Sequence, residues 1–142
     1  MKKQVRDALR TLFQRDAHLL EGDAAERTIS ARLARYLEPL FPGYRADPEY
    51  NRHGFDPKRV TLPKRYRRGG RIFPDIVIHQ RGADGDNLLV IQIKKETNRE
   101  PRDRDRAIIR AMMRQLHYTH GLLMDLPAGP GSINRRPRLE WL

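Results

Sequence analysis

Residues 73–95, FPDIVIHQRGADGDNLLVIQIKK, leave the chain little choice about its centre. Residues 72–79 and 88–94 are two runs rich in β-branched side chains, the composition that suits a pleated, buried surface. Residues 81–87 between them contain Asp84-Gly85, a dipeptide suited to a tight reversal, so the stretch is predicted to be a β-hairpin. A turn centred near Asp84 sets Asp75 across from Gln92 and Ile93. Alternation then puts Gln92 and Lys94 on one face of the second strand, and Ile91, Ile93 and Lys95 on the other. An acid, an amide and an ammonium converge at the hairpin's open end. Buried charge without a partner is costly, so these groups must pair with each other or with a ligand.

The flanks supply helices. Residues 3–20 carry Val5, Leu9, Leu12, Phe13, Leu19 and Leu20 near one side, and Glu21-Gly22 ends that helix. A second helix is predicted over 23–40, with Asp23 as its cap, Glu26 three residues later in a capping-box arrangement, and Ile29, Leu33, Leu37 and Leu40 as its buried stripe. Pro42-Gly43 stops it. Spacing alone leaves two roles for Glu26: a carboxylate aimed into the domain near the hairpin, or an answer to helix N-terminal N–H groups; the capping geometry accounts for it without further assumption. Residues 44–52 suit an outer strand. Residues 105–118 suit a helix with Ile108, Ile109, Met112, Met113 and Leu116 inward, and residues 121–126 a short buried strand. The tail from Pro127 is rich in Pro, Gly and Arg and is expected to lie loosely on the surface, with Trp141 tethering its end. The result is an α/β (α+β) single domain over residues 1–142, with a mixed central sheet of about four strands flanked by helices.

The 142 residues include no cysteine, which excludes a disulfide framework and thiolate zinc sites and fits a reducing cytoplasm. No apolar stretch approaches the length of a signal-peptide core or a membrane span. The net charge of +11 favours a polyanion, above all nucleic acid, through phosphate contacts and counterion release. Seven of the fourteen residues at 58–71 are basic: Lys58, Arg59, Lys64, Arg65, Arg67, Arg68 and Arg71, with Tyr66 among them. Placed just before Asp75, this segment reads as a phosphate-gripping arm on which Tyr66 stacks on a base or packs on sugar; otherwise it is a solvated loop. His117 and His120, without further ligands, read as surface residues.

The hairpin's polar end suits a hard divalent cation. Asp75 would be its main anionic ligand, with oxygens from the Gln92 side chain and the Ile93 carbonyl, while Lys94 would hold a water against a phosphate. Judged on these residues alone, an ordinary buried Asp75–Lys94 ion pair explains the cluster as well. The Pro74-Asp75 pair, the hairpin and the run Val90-Ile91-Gln92-Ile93-Lys94-Lys95 resemble the PD-(D/E)xK nuclease superfamily, and the order of elements over residues 23–126 is similar to that family's helix, three-stranded meander, helix and strand. The resemblance implies a restriction endonuclease-like core and a small nuclease that hydrolyses phosphodiester bonds of DNA with Mg2+ or Mn2+. It implies Asp75, Gln92, Lys94 and Glu26 as the catalytic set, with Glu26, Asp75, Gln92 and the Ile93 carbonyl around the metal; symmetric dimers are common among such nucleases, and nothing in the sequence fixes a homodimer interface.

Gln92 departs from the motif, which has an acid there. An amide keeps one oxygen donor but removes a negative charge from the cation's surroundings. A naturally active variant, a nuclease-fold module that binds nucleic acid without cutting it, and a glutamate replaced by glutamine all agree with this residue. Beside the nuclease and the binding module, an RNA-associated protein of unrelated fold is a third reading of the chain.

Overall fold

The computed structural model describes residues 1–50, 60–67, 74–82 and 85–142. At its centre β2 (Ile76–His79) pairs antiparallel with β3 (Asn87–Lys95), with Ile76 opposite Ile91 and Val77 opposite Val90. That register carries Asp75 to the level of Gln92, as the alternation predicts. β1 (Arg45–Pro48) flanks β2 antiparallel. β4 (His120–Leu126) lies parallel to β3. Parallel neighbours need a crossover, and the helix Asp103–Gln115 supplies it. β5 (Arg138–Trp141) closes the other edge, antiparallel to β4, so the sheet runs β1-β2-β3-β4-β5 among the described residues. The helices are α1 (Lys2–Arg15), α2 (Ala17–Glu21), α3 (Glu26–Leu37) and the crossover helix, α4.

Both faces of the sheet are covered. Ile76, Ile78, Leu89, Ile91, Ile93, Leu122 and Met124 meet Leu9 and Leu12 of α1 and Ile29, Leu33 and Leu37 of α3. Val77, Val90 and Leu123 meet Ile108, Ile109, Met112 and Leu116, in and just beyond α4. Two-sided burial explains why the central strands read as continuous apolar runs rather than as alternating ones. α4 lies close on β4 at Gly121, where a Cβ would stand 2.3 Å from Ile109 Cγ2. No helix among the described residues is long and apolar enough to cross a membrane.

Three expectations are corrected. The helix predicted over 3–20 breaks at Asp16, whose backbone leaves helical geometry (φ −120°, ψ 28°). Its carboxylate accepts the Tyr36 hydroxyl at 2.5 Å and Arg32 Nε at 3.2 Å, a long-range pairing that outweighs continuation of the helix. Asp16→Ala leaves both donors without their acceptor, and a urea titration is expected to show a loss of about 1–3 kcal/mol.

The capping box does not form. Asp23 sits in a left-handed turn (φ 52°) and spends its carboxylate on Lys95 at 2.9 Å and Thr97 at 3.0 Å. α3 starts at Glu26, after Ala25, with no side-chain cap, and Glu38–Leu40 form a separate 3-10 turn.

The tail beyond Pro127 is built into the domain. Gly129 N–H donates to the Leu20 carbonyl at 2.8 Å, Gly131 N–H to Glu21 at 2.8 Å, and the last residues add the fifth strand to an expected four.

Candidate active site at the open end of the hairpin

Asp75 stands just ahead of β2, at a point where the strand pairing gives way to side-chain bonds. Its N–H donates to Gln92 Oε1 at 3.0 Å, and its Oδ2 accepts the Ile93 N–H at 2.6 Å. Both main-chain groups of a strand residue face the same neighbour, so the Ile93 carbonyl faces the Asp75 side as well. Among the described residues Oδ1 accepts no hydrogen bond. Burial pushes the Asp75 carboxyl up to about 7; Glu26 and Asp105 add to the rise, while the Ile93 N–H and Lys94 oppose it.

Gln92 is buried, and both ends of its amide are engaged. The oxygen expected to face a cation accepts the Asp75 N–H, and Nε2 donates to Asp105 Oδ1 at 3.4 Å. An N–H on one side and a carboxylate on the other leave the amide one orientation. Gln92 therefore links the start of β2 to α4.

Asp105 is the residue that the sequence reading missed. It is buried on the first turn of α4, 6% exposed, and burial raises its carboxyl above the usual range against the pull of Lys94 and the Gln92 hydrogen bond. Its signal is present in the sequence: it precedes Ile108, Ile109 and Met112 by three, four and seven residues, which puts an acid on the helix's apolar stripe. Lys94 lies between acids, 3.8 Å from Asp105 Oδ2 and 3.8 Å from Glu100 Oε2. The expected Asp75–Lys94 ion pair is absent among the described residues; the lysine pairs toward α4 and the loop before it instead.

Glu26 arrives from α3, on the opposite face of the sheet. Its Oε1 accepts the Lys95 N–H at 3.4 Å and Asn98 Nδ2 at 3.3 Å. Its charge reaches both Asp75 and Asp105, which raises the two carboxyls. Three carboxylates and one lysine thus surround the hairpin's end. Among the described residues no three His, Cys, Asp or Glu side chains are gathered tightly enough to hold a metal by themselves.

Part of the basic arm is in place beside this cluster. Lys64, Arg65 and Tyr66 form a 3-10 turn in which Lys64 and Arg65 are exposed, as is Arg67 just after it. Tyr66 is half-buried against the α4-side core, with the Arg65 guanidinium 4.8 Å from its ring centre. The ring is therefore partly committed within the protein. Arg104 of α4 donates to the Tyr66 carbonyl at 3.0 Å, which ties the turn to the helix that carries Asp105. An open groove of about 650 Å3 runs between Arg65 and Tyr66 on one side and Glu100, Pro101, Asp103 and Arg104 on the other. Lys58, Arg59, Arg68 and Arg71 lie outside the described residues, as does Asp84 of the turn.

No family model, no curated protein and no solved structure matches the chain.

Proposed function

We propose that the chain is a small metal-dependent nuclease with a restriction endonuclease-like core, acting on DNA. One observation carries this reading: at the hairpin's open end the buried Asp75 and Asp105 lie within electrostatic reach of Glu26, and with Lys94 and Arg102 as the cations beside them both carboxyls are still held above the ordinary range. Such a cluster is short of positive charge. Its donors are all oxygens, which fits Mg2+ or Mn2+: the Asp75 carboxylate and the Ile93 carbonyl would meet the ion directly, and Asp105 and Glu26 would reach it through its water shell. Gln92 completes the set by holding Asp75 and Asp105 in place. A bound divalent cation supplies Lewis-acid polarisation of the phosphodiester and a bound water of lowered pKa. Lys94, within reach of Asp105, orients a water against the phosphorus and offsets the negative charge that grows there. Exposed Lys64, Arg65 and Arg67 hold the backbone, without reading sequence.

The second reading is a nuclease-fold module that binds nucleic acid without cutting it. The commitment of both Gln92 amide atoms to the fold favours it, since that residue stands where the motif has an acid. Supercoiled plasmid with magnesium or manganese separates the two. The parent protein is expected to nick it, and Lys94→Ala to lower the rate by about 10²–10³-fold. If neither the parent nor Gln92→Glu nicks plasmid while both bind it, the enzyme reading is overturned and the binding module remains.

A further inference from the structure

Beyond the C-terminal ends of β3 and β4, an open groove of about 690 Å3 separates the loop after β3 from β5. Five arginines and four acids line it. Their pairing is uneven. Arg102 Nε binds Asp125 at 2.8 Å, and its other nitrogens reach the Glu100 and Lys95 carbonyls. Arg106 binds both oxygens of Glu140, at 3.0 and 2.9 Å. Glu96 meets Arg135, and Glu100 lies 3.8 Å from Lys94. Every acid of the groove thus has a cation. Arg99, Arg136 and Arg138 are exposed and, among the described residues, take part in no ion pair and no side-chain hydrogen bond.

Strand register locates this surplus. Lys94 is opposite Asp125, and Asp125 is opposite Arg138. Directly opposed residues share a face, so the three form one row on the α4 side, and neighbouring strands about 4.8 Å apart put Arg138 roughly 10 Å from Lys94 at the main chain. A sugar-phosphate backbone covers that distance within a few nucleotides. Glu100 and Asn98 also line the groove, and they touch Lys94 and Glu26 respectively, so the groove opens onto the candidate active site.

We infer that this groove receives the phosphates of the nucleic-acid strand that flanks the bond held at Asp75 and Lys94, with Arg99, Arg136 and Arg138 as its contacts. The inference rests on the nucleic-acid reading of the site and extends it from the centre to the path of the strand. Three guanidinium groups without carboxylate partners, around a groove whose other charges are already matched, suit phosphate oxygens, which a planar fork binds in pairs.

Fluorescence anisotropy of a labelled single-stranded oligonucleotide, titrated at several salt concentrations, tests this. The triple variant Arg99→Gln/Arg136→Gln/Arg138→Gln is expected to bind about tenfold or more weakly at low salt, with a log–log salt slope reduced by about 2, since each lost phosphate contact on a single strand removes ~0.7. Its melting temperature should match the parent's, because the three side chains hold nothing in the fold. The corresponding triple lysine variant should recover the slope. An unchanged slope in the glutamine variant, alongside a reduced one in Arg65→Gln/Arg67→Gln, would confine the strand to the arm and overturn the groove. Displacement of the oligonucleotide by a glutamate-rich peptide of equal charge would also overturn it, in favour of an acidic protein partner. A reduced slope in a protein that nicks no plasmid would leave the groove standing and remove the catalytic reading. A parent that binds no oligonucleotide would remove both.

Discussion

Asp75→Asn is expected to stabilise the metal-free protein at pH 8 and to abolish its cleavage of plasmid. The folded protein holds the Asp75 proton up to about pH 7, against an ordinary value of 3.8. Between those values the folded state binds more protons than the unfolded chain, so stability falls as pH rises from about 4 to 7 and stays low above that range. The full difference corresponds to up to about 4 kcal/mol at 1.36 kcal/mol per unit. Asparagine carries no charge, keeps an oxygen for the Ile93 N–H, and relieves Glu26 and Asp105 of a like-charged neighbour. In urea titrations with EDTA, the parent should lose stability with rising pH more steeply than the variant, in which Asp105 is the one raised carboxyl of the pair that remains. Magnesium at pH 8 should restore the parent and leave the variant unchanged, because only a site with affinity for the ion gains from mass action. A variant less stable than the parent at pH 8 would make Asp75 a structural residue and remove the central ligand of the proposed site.

Gly121→Val should be among the most damaging substitutions on the α4 side. A Cβ at Gly121 would stand 2.3 Å from Ile109 Cγ2 and 2.8 Å from Met113 Sδ. Met113 is half-buried and unbranched, and can swing away. Ile109 is completely buried and β-branched, so the helix itself must lift from β4. Overpacking of this kind costs about 1–3 kcal/mol and sometimes more, and valine adds two further methyl groups. Denaturant midpoints should show the loss, and Ile109→Ala should cost less in the Gly121→Val background than in the parent, a coupling that a double-mutant cycle reads directly. Since α4 carries Asp105, nicking should fall more steeply than stability. Full stability in Gly121→Val would mean that α4 packs farther from the sheet than described here.

The strongest sequence signals were local ones. β-branched runs separated by a short polar segment define β2 and β3, and the short connection of a hairpin brings Asp75 level with Gln92. The stripes of α3 and α4 follow from the helical period of 3.6 residues. What escaped depended on distant partners. Asp16 ends a helix because Tyr36 and Arg32 are there to receive it. Asp23 forgoes a cap for Lys95 and Thr97. β5 is only four residues long and follows a run of Arg and Pro, so it does not declare itself without β4 beside it. Asp105 was hidden in the charged run RDRDR, although its position relative to Ile108 and Ile109 marks it as inward-facing. Of the basic arm, Lys64, Arg65, Tyr66 and Arg67 stand near the site, and its other members fall outside the described residues.

The parallel pairing of β3 with β4 has a consequence for the order in which the molecule is made. A hairpin such as β2–β3 closes on contacts near in sequence, but β4 joins only after a helical crossover has been laid down, which makes it the slower step. Lys94 and Asp105 sit on the two pieces that this step unites. A nascent chain would therefore carry a docked hairpin and an unassembled centre until β4 had been synthesised. On the proposed nuclease reading, a site built across this seam is silent until β4 docks, while the nearest nucleic acid is the cell's own ribosome and message.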